Sequence, residues 1–429
     1  MPNSPQTQMH DAGIEKPRVG YLLSRYPAVS HTFFLKEVLG LRERGLTVEV
    51  ASINPPDRSR NDLPPVEAAE ADHTYYVKST GLAALALQVL AVAFSHPRVT
   101  MRGLRAALSL GEWDLKSRAF AFFYLAEALL VGRWMRSRSL THLHVHFGGP
   151  VATVGMLTAR AWQISWSLTL HGPDEFFDQE AFYLQQKIES ASFLVCNSDF
   201  CRSQVLRIAP GIQEDRLEVI RLGVDCNALR PADANPAIAS AIHQPNSLRL
   251  VCTGRMVAAK GHRILLEALA PLAAEGLAFS CTLIGDGPER AALEALSRQL
   301  GLAGRVQFLG AMAHQPTLLE VAQADVFVLA SFAEGLPVAL MEAMALGVPC
   351  ISTTIAAIPE LIESTKNGLL VPPANPGALR HALKQLADDS ALRLQLGRQA
   401  RTTVEVGYDL AVNLDRLADM WSRRLSGTR

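Results

Sequence analysis

The sequence lacks three motifs that commonly organise phosphate, metal or cofactor chemistry. No Asp-x-Asp occurs anywhere in the 429 residues, so the chain offers no metal–diphosphate clamp of that kind. No G-x-x-x-x-G-K-[ST] occurs either, which excludes a P-loop. The turn after the first predicted strand, residues 24–32, contains no G-x-G-x-x-G, and this counts against a dinucleotide-dependent dehydrogenase.

The chain also lacks an excess of charge, a close cysteine pair and a long apolar run. The 41 Lys and Arg residues balance the 41 Asp and Glu residues, which argues against nucleic acid as a partner. The six cysteines include no C-x-x-C, and Cys252, Cys281 and Cys350 fall in predicted strands, as expected of core thiols in a reducing compartment. The best candidate for a membrane span, residues 81–94, is shorter than the roughly 18–20 apolar residues required. We therefore expect a cytoplasmic protein with a disordered lead at 1–16.

The length of the chain predicts two domains, because 429 residues exceed what a single core usually supports. Short apolar runs alternate with helical segments in both halves, an order typical of parallel sheets. The pattern predicts an α/β fold with two doubly wound, Rossmann-like domains that face each other across a cleft. The predicted units are a first domain at 17–225, a linker at 226–247, a second domain at 248–407 and a terminal helix at 408–429.

An insert at 80–138 in the first domain departs from this alternation, because it is helical in composition and strongly apolar. From residue 98 to residue 138 it carries eight basic and three acidic residues. Such helices can rest on an anionic membrane, or they can pack on the sheet with a solvated basic face. Both interpretations stay open: packing on the sheet is the more common arrangement of such helices, and the alternative places the protein at the inner face of a membrane. The basic residues are Arg98, Arg102, Arg105, Lys116, Arg118, Arg133, Arg136 and Arg138.

The stretch EGLPVALMEAMALGVP at 334–349 follows a predicted buried strand and is the centre of the second domain. Pro337 suits the first position of a helix, and Gly347 suits its end. Glu334 lies just before the helix, where free N–H groups and the helix dipole favour an anion. Glu342 is the only ionisable side chain inside the apolar helix and needs a partner there. The two acids can hold a polyhydroxylated, phosphorylated ligand; alternatively, Glu334 is a helix-start acid and Glu342 pairs with an arginine.

Two basic residues follow another predicted strand in the stretch GRMVAAKG at 254–261. Gly254 allows a tight turn, which places Arg255 and Lys260 near the carboxyl end of the strand, where an open α/β sheet binds a diphosphate. Arginine grips phosphate oxygens as a fork and lysine adds a compact charge. The alternative is a surface arginine beside a lysine at a helix start. The turn at 285–288, GDGP, is interpreted as mainly structural, with a further role in seating a base.

Histidines mark the carboxyl ends of two strands in the first domain. His171 ends a strand beside Asp174 and Glu175, where it can bond a sugar hydroxyl or take part in proton transfer; a lone histidine is more often structural. His142, His144 and His146 alternate along one strand and therefore share a face. Three imidazoles on a strand lack the spacing usual for a metal site, so no metal is expected, and His146 is expected to line the floor of the cleft.

These motifs in combination resemble the retaining GT-B glycosyltransferases of family four. The second half carries GRMVAAKG at 254–261, LIGDGP at 283–288, FLG at 308–310 and EGLPVALMEAMALGVP at 334–349. In the first half, YPAVSHTFFLKE at 26–37 is similar to the exopolysaccharide branch, which includes colanic-acid-type transferases. The first loop departs from many relatives because residues 28–32, AVSHT, contain no Gly-Gly pair.

The resemblance implies a role for each candidate residue. Arg255 and Lys260 would bind the donor diphosphate, and Glu342 would hold the ribose hydroxyls. Glu334 would face the donor sugar and phosphate, and His171 would touch the sugar near the reacting carbon. The backbone N–H groups of Gly335 and Leu336, at the helix start, would join Glu334. Ser30 and Thr32 of the first loop, together with His146, would contact phosphate and acceptor.

The resemblance further implies a metal-independent enzyme that moves a sugar from a nucleotide-sugar donor to a glycan or lipid-linked acceptor with retention at the anomeric carbon. No cofactor is expected, since the nucleotide sugar is the substrate. Two alternatives stay open at this point. A sugar-nucleotide epimerase or a phosphorylase of the same architecture would carry similar motifs, and a non-catalytic nucleotide-sugar-binding scaffold would also share the fold.

Overall fold

The computed structural model describes residues 18–28, 32–79, 81–110, 114–231 and 247–426. It contains two sheets in which all paired strands run parallel, and this confirms the prediction of two doubly wound domains. The first sheet has seven strands in the order β3-β2-β1-β4-β5-β6-β7, and the second has six in the order β10-β9-β8-β11-β12-β13. The strands are β1 (Arg18–Arg25), β2 (Thr47–Asn54), β3 (Tyr75–Tyr76), β4 (His142–His146), β5 (Ser165–Leu170), β6 (Phe193–Cys196), β7 (Leu217–Val219), β8 (Leu248–Thr253), β9 (Phe279–Ile284), β10 (Val306–Gly310), β11 (Val326–Leu329), β12 (Cys350–Thr353) and β13 (Leu369–Val371).

Helices connect these strands and cover both faces of each sheet, as short parallel strands require. In the first half they are α1 (Thr32–Glu43), α2 (Pro65–His73), α3 (Leu82–Ser95), α4 (Pro97–Leu108), α5 (Leu115–Ser137), α6 (Pro150–Trp162), α7 (Asp174–Phe177), α8 (Leu184–Ser190) and α9 (Asp199–Ile208). In the second half they are α10 (His262–Ala274), α11 (Arg290–Gln299), α12 (His314–Ala322), α13 (Val338–Ala345), α14 (Ile358–Leu361), α15 (Pro376–Asp388), α16 (Ser390–Gly407) and α17 (Leu410–Ser426).

The strand order of each sheet reverses next to its first strand, at β1/β4 and at β8/β11. At such a switch point the loops leave the sheet in opposite directions and open a crevice at the carboxyl ends of the strands. Because both faces of each sheet are covered, side chains are buried on both faces of the strands, and most of them are apolar. In β1, for example, Tyr21 packs with α1 and α17, while Leu22 packs in the core beneath the insert helices.

The terminal helix α17 lies on the first sheet. Trp421 is fully buried and its ring packs against those of Tyr21, His142 and Phe193. Arg44, just after α1, forms an ion pair with Asp415 of α17, with 2.6 Å between Nε and Oδ1. The chain therefore passes from the second domain back to the first, and α17 links the two domains.

A polar hinge joins the two halves beside this crossing. Val224 and Asp409 form an isolated parallel bridge, where the chain leaves the first domain and where it returns. Glu360 of α14 accepts the N–H groups of Asp199 and Phe200 at the start of α9, at 3.0 and 2.7 Å. A carboxylate at a helix start satisfies free donors and the helix dipole, so this contact ties the second half to the first beside the apolar packing of Phe200.

The structure differs from the sequence-based interpretation at several short elements. The predicted loop at 54–65 is followed by α2 and by β3, a two-residue strand that sequence patterns do not indicate. The edge strand β13 was not predicted either. Pro337 precedes the helix as its N-cap, so α13 begins one residue later than predicted. The insert is helical as predicted, and it comprises α3, α4 and α5. Most of the predicted linker lies outside the described residues.

Two compositional expectations can be compared with the structure. All six cysteines are free and buried, which confirms that they are core thiols. Of the helices that the structure describes, none is by itself both long enough and apolar enough to cross a bilayer, and only the pair Ala83–Ser95 and Pro97–Leu108, bent by 112°, reaches the required length and composition together.

Gly261 offers a test of how closely the first turn of the second sheet packs. Its φ is +63°, and a Cβ there would lie 2.0 Å from the carbonyl oxygen of Ala330. We expect Gly261→Ala to lower the free energy of unfolding of the second domain by roughly 2–4 kcal/mol, because backbone strain and overlap with a rigid carbonyl add. Urea denaturation followed by tryptophan fluorescence and circular dichroism measures the change.

Gly276→Ala is the matched control for this substitution. Gly276 also has a positive φ, +84°, but a Cβ there meets nothing within 4 Å. Gly276→Ala should lower the free energy of unfolding only by the backbone strain, about 1–2 kcal/mol. Equal destabilisation by the two variants would show that the contact with Ala330 contributes nothing.

Candidate active site

The candidate site lies where the carboxyl ends of the two sheets meet. The loop after β5 and the loop after β11 touch through two glycines: a Cβ on Gly335 would lie 2.1 Å from the carbonyl oxygen of His171, and a Cβ on Gly172 would lie 3.5 Å from the Cα of Gly335. A side chain at Gly335 would block this approach. The structure thereby brings His171 of the first domain beside the Glu334–Leu336 loop of the second.

Lys260 and Glu334 form an ion pair at this edge. The distance from Lys260 Nζ to Glu334 Oε1 is 2.6 Å, and Ser331 Oγ donates to the same oxygen at 2.7 Å. The Glu334 side chain is 8% exposed and that of Lys260 is 22% exposed, so the pair is largely shielded from water. The sequence predicted both residues as donor ligands without predicting that they bond each other. Pairing offsets part of the cost of burying the carboxylate and holds the ammonium group in place.

Backbone contacts fix the two loops that carry this pair. Lys260 ends a short 3₁₀ turn after β8, and Glu334 lies in the loop between β11 and α13. The N–H of Phe332 donates to the carbonyl of Ala259 at 2.8 Å. Because the loops are bonded through their main chains, the ion pair is held in position by the fold and does not depend on two flexible side chains alone.

Arg255 adds a second cation beside the pair. Its side chain is exposed, and it makes no hydrogen bond or ion pair with any residue in the described ranges. The turn that carries it is locked by the next loop, since a Cβ on Gly285 would lie 1.9 Å from the carbonyl oxygen of Gly254 and one on Gly287 would lie 2.5 Å from that of Met256. These contacts support a structural role for the GDGP turn, and its role in seating a base stays a prediction.

The start of α13 presents free main-chain donors next to Glu334. The N–H groups of Gly335 and Leu336 donate to no other residue that the structure describes. Together with the helix dipole, these groups favour an anion at the mouth of the cleft. The positive groups predicted for diphosphate binding are therefore collected at one edge.

Glu342 lies further along α13 and is 16% exposed. Its Oε1 lies 2.6 Å from His314 Nε2 at the start of α12. The predicted alternative, a pair with an arginine, is therefore wrong: the partner is a histidine, 28 positions away in sequence, which no local pattern indicated. The other carboxylate oxygen has no partner among the described residues, so the group can still accept hydroxyl donors.

His171 lies on the first-domain side of the cleft and is held by its backbone. Its N–H and that of Gly172 donate to Glu175 Oε2 at 2.7 and 3.1 Å, and its carbonyl accepts from Asn197 Nδ2 at 2.7 Å. Its ring packs against the ring of Phe147, with centroids 4.6 Å apart. The side chain is 7% exposed, so only a small part of the imidazole can meet a ligand.

His146 is placed behind His171, although the sequence suggested that it lines the cleft floor. It is 1% exposed, and its Nδ1 lies 3.0 Å from His171 Nε2. On its other side, His146 Nε2 lies 3.4 Å from Glu37 Oε1, which also accepts from Tyr21 at 2.8 Å. The nearby carboxylate favours the proton on His146 Nε2, so Nδ1 accepts and His171 donates from Nε2. This orients the His171 ring.

His142 and His144 are fully engaged in a polar ladder between β4 and β5. Each uses both ring nitrogens, at 2.7–2.9 Å, to bond hydroxyls of neighbouring strand residues. Burial lowers the pKa of His142 to about 3 and that of His144 well below its ordinary value, so both are neutral. The hydroxyls belong to Ser165, Ser167 and Thr169. Within the described part of the chain, no cluster of His, Cys, Asp or Glu has the grouping of a metal site.

A buried acid and a buried lysine brace the loops under His171, and sequence reasoning missed both roles. Glu175 accepts N–H groups from the loops after β4 and β5. Lys187 donates to the carbonyls of Gly148 and Gly149 at 2.7 and 2.8 Å. Burial raises the pKa of Glu175 to about 7 and lowers that of Lys187 to about 7. The acidic run after His171 pointed to Glu175, whereas no sequence signal marks Lys187.

The first loop is only partly described. Thr32 is the first residue of α1 and is partly buried. Ser30 lies outside the described residues, so its predicted contact with phosphate or acceptor stays a prediction. Glu37, in the same motif, lies close to His146, and the rings of Phe33 and Phe34 pack against that of His171.

The raised pKa of Glu175 predicts a pH dependence of stability. In the unfolded chain this carboxyl releases its proton near pH 4.5, whereas in the folded protein it holds the proton up to about pH 7. Its contribution to the free energy of unfolding is therefore complete below pH 4.5 and is lost as the pH rises to about 7, by an amount on the order of 3 kcal/mol. We expect Glu175→Gln to remove this part of the slope, measured by urea denaturation between pH 4.5 and 7.5.

Glu180→Gln is the control, because Glu180 is exposed on the same connection between β5 and α8. It should retain the wild-type slope even if its stability changes slightly. A Glu175→Gln variant with an unaltered slope would contradict the assignment of the titration to Glu175.

Two family models match the two halves of the chain. Residues 247–389 match the model described as "Glycosyl transferases group 1", and residues 74–228 match "Glycosyltransferase Family 4". The first match covers the Lys260–Glu334 pair and Glu342. The second covers His146 and His171.

Relatives over the full length include WcaL of Escherichia coli (strain K12), which is named for colanic acid biosynthesis, and AmsK of Erwinia amylovora, an amylovoran biosynthesis glycosyltransferase. Each is 26% identical over 420 residues, covering 94% and 95% of this chain and 99% of the relative. Among solved structures, sucrose-phosphate synthase from Thermosynechococcus elongatus superposes with a TM-score of 0.73 at 18% identity, covering 96% of this chain and 100% of the other. Anabaena HepE with UDP and glucose gives 0.69 at 17% identity, covering 95% and 100%. Taken with the two family models, these matches show that the chain is a glycosyltransferase of the GT-B fold whose second half is of the group 1 type.

Proposed function

We propose that this glycosyltransferase moves a sugar from a nucleotide-sugar donor to a glycan or lipid-linked acceptor, with retention at the anomeric carbon, in the biosynthesis of an exopolysaccharide or another cell-surface polysaccharide. The observation that carries the proposal is the position of the Lys260–Glu334 pair and Arg255 at the edge of the second sheet, opposite His171. The names of the full-length relatives support the product class. The UDP and UDP-glucose complexes of Anabaena HepE support the donor class.

In the proposed step, the bond between the anomeric carbon and the oxygen of the leaving phosphate breaks. The acceptor hydroxyl oxygen forms a bond to the same carbon from the same face, and its proton passes to the departing phosphate. Negative charge therefore grows on the diphosphate. Lys260, Arg255 and the N–H groups at the start of α13 stabilise that charge, and the proposal assigns this work to protein groups and not to a metal ion.

The remaining candidate residues position the donor. Glu342 accepts hydrogen bonds from the ribose hydroxyls with the oxygen that His314 leaves open. Glu334 and His171 approach the sugar from the two sides of the cleft. The proposed compartment is the cytoplasm, which the six free, buried thiols support.

The reaction class is tested with purified full-length protein and a panel of nucleotide sugars. Thermal shift identifies the donor that binds, and turnover is then measured with and without glycan and lipid-linked acceptors. We expect donor consumption that depends on an acceptor, with the configuration at the anomeric carbon retained by NMR. Conversion of the donor to an epimer without an acceptor, or a requirement for orthophosphate, would overturn the proposal in favour of the other enzyme classes.

Lys260→Ala should weaken the binding of UDP, the nucleotide used here as a probe, by roughly 10- to 100-fold, and turnover should fall with it, because a charge-assisted contact to the diphosphate is lost. Isothermal titration calorimetry and initial rates measure the two effects. The substitution also leaves Glu334 without its cation. The double variant with Glu334→Gln removes that unpaired charge, and UDP binding should remain weak in it.

Arg263→Ala is the control for this experiment, since Arg263 lies on α10 and pairs only with Glu267 across one helical turn. It should bind UDP as the wild type does. Full recovery of UDP binding in the double variant would mean that Lys260 only neutralises Glu334, and its assigned role at the diphosphate would be wrong.

Glu342→Gln should weaken UDP binding about tenfold and leave the binding of inorganic pyrophosphate unchanged, because a carboxylate that accepts two hydroxyls is specific to the ribose. His314→Gln removes the same hydrogen-bonded pair while it keeps the carboxylate, so it should retain most of the UDP affinity. If both variants lower the melting temperature equally and neither affects UDP binding, Glu342 is a structural partner of His314 only.

A further inference from the structure

The helix α3 exposes an apolar face that nothing in the described protein covers. Its sequence, LAALALQVLAVAFS, contains no charged residue. The inner face packs in the core through Leu85 and Val92. On the outer face Leu87 is 68% exposed, Leu90 is 52% exposed and Phe94 is 83% exposed. A helix that is apolar all round normally has both faces buried, so the outer face of α3 requires a partner.

The two following helices extend this apolar surface. Exposed residues recur on α4 at the spacing of one helical face, and on the first two turns of α5. The helices are joined at their ends: Arg118 of α5 donates to the carbonyl of Leu108 at the end of α4, at 2.7 Å, and Lys78, just before α3, lies 4.7 Å from the ring centroid of Phe123. We call the exposed faces of α3, α4 and α5 the insert surface. Its large apolar residues are Leu87, Leu90, Phe94, Met101, Leu108, Leu115, Phe120, Phe122 and Phe123.

The exposed charge of the insert surface is predominantly basic. Arg98, Arg105 and Lys116 are exposed and have no ion-pair partner within the described ranges. The described part of the insert, 81–110 and 114–138, contains two acids, and both are engaged. Asp114 accepts the N–H groups of Lys116 and Ser117 as the N-cap of α5, and Glu127 is buried in an ion pair with Lys78. Asp114 is therefore the one exposed carboxylate of the described insert, and the exposed basic side chains outnumber it.

From the uncovered apolar face and its unbalanced basic residues we propose that the insert surface docks on an anionic lipid bilayer. Apolar side chains of this kind enter the boundary between headgroups and acyl chains, while long basic side chains reach the anionic headgroups. The apolar side chains of the insert surface therefore match the acyl-chain boundary, and its basic side chains match the anionic headgroups.

The structure disfavours the two other arrangements of this surface. A span would need the pair Ala83–Ser95 and Pro97–Leu108 to straighten, but the two helices are bent by 112° and α4 packs against the core through Val99 and Ala107. A symmetric dimer would place the same face of two copies together. Arg98, Arg105 and Lys116 would then face their own copies with only Asp114 to offset them, and such like-charge contacts are unfavourable.

Docking in this way would hold the first domain at the membrane while the second domain remains free to carry the donor site. The insert helices pack on the face of the first sheet opposite α1 and α17, so docking leaves the terminal helix and the hinge uncovered. Lipid binding does not depend on the proposed sugar transfer. The two proposals can therefore fail separately, because vesicle binding is measured without donor or acceptor.

The test is flotation of the full-length protein with vesicles of phosphatidylcholine alone or with 30% phosphatidylglycerol. We expect binding to the anionic vesicles that weakens in 0.5 M salt, because surface charges are screened there. The variant Arg98→Gln, Arg105→Gln and Lys116→Gln should lose roughly fivefold in partition coefficient for each charge removed. Its matched control replaces three exposed arginines elsewhere, Arg207→Gln, Arg298→Gln and Arg398→Gln, and should bind as the wild type does.

A second variant tests the apolar face. Leu87→Gln, Leu90→Gln and Phe94→Gln keep good helix formers at exposed positions and should abolish flotation with both vesicle types. Leu394→Gln with Val406→Gln, two exposed apolar residues of the second half, is the control and should leave flotation unchanged.

Three outcomes overturn the proposal. The first is flotation that neither variant reduces more than its control. The second is an absence of flotation together with a wild-type dimer in analytical ultracentrifugation that the apolar variant dissociates, which would identify the surface as a protein interface. Hydrogen exchange on the wild type needs no variant: residues 83–108 should exchange more slowly on anionic vesicles, and unchanged exchange contradicts docking.

Discussion

The ion pair between Lys260 and Glu334 is the contact on which the candidate site depends. It joins the turn after β8 to the loop after β11, the two connections that leave the second sheet at its switch point. A carboxylate as buried as Glu334 needs a cation or several donors to stay charged. Lys260 and Ser331 supply them, and in return the ammonium group is held at the edge of the sheet where an anion would bind. Close backbone packing at Gly261 keeps the two loops together.

The two domains meet through polar and backbone contacts more than through a continuous core. Gly172 and Gly335 approach each other at the cleft, while Glu360 caps α9 and also contacts Arg221 at the hinge. Interfaces of this polar kind between domains generally permit relative motion. The terminal helix α17 limits that motion, because Trp421 is fully buried against the first sheet. Such an arrangement suits an enzyme whose cleft closes on a donor and opens for release.

Under His171 the protein buries an unusual number of polar groups. Glu175, Lys187 and the histidines of β4 are all nearly inaccessible to water, and each makes hydrogen bonds or close polar contacts that position a loop or a ring. Burial of ionisable groups lowers stability unless their bonds are complete. Functional sites commonly carry such a cost, because rigid positioning of the reacting groups raises the rate. The location of these groups beside His171 and the cleft fits that pattern.

The sequence by itself determined the architecture and most of the local chemistry. Alternation of short apolar strands with helices specified two parallel sheets, since each helix and strand is encoded by nearby residues. The same local order placed Arg255, Lys260, Glu334 and His171 at carboxyl ends of strands, where open α/β sheets bind their ligands. The strand β3 was missed because two residues carry no periodic pattern.

Only the tertiary structure decided which of these groups touch. Lys260 and Glu334 are 74 positions apart and His146 and His171 are 25 apart, so their contacts follow from strand order and loop packing, which no local pattern encodes. The partner of Glu342 proved to be His314 for the same reason. The composition of the insert predicted apolar helices, but which side of α3 stays open to solvent depends on what packs against its other side.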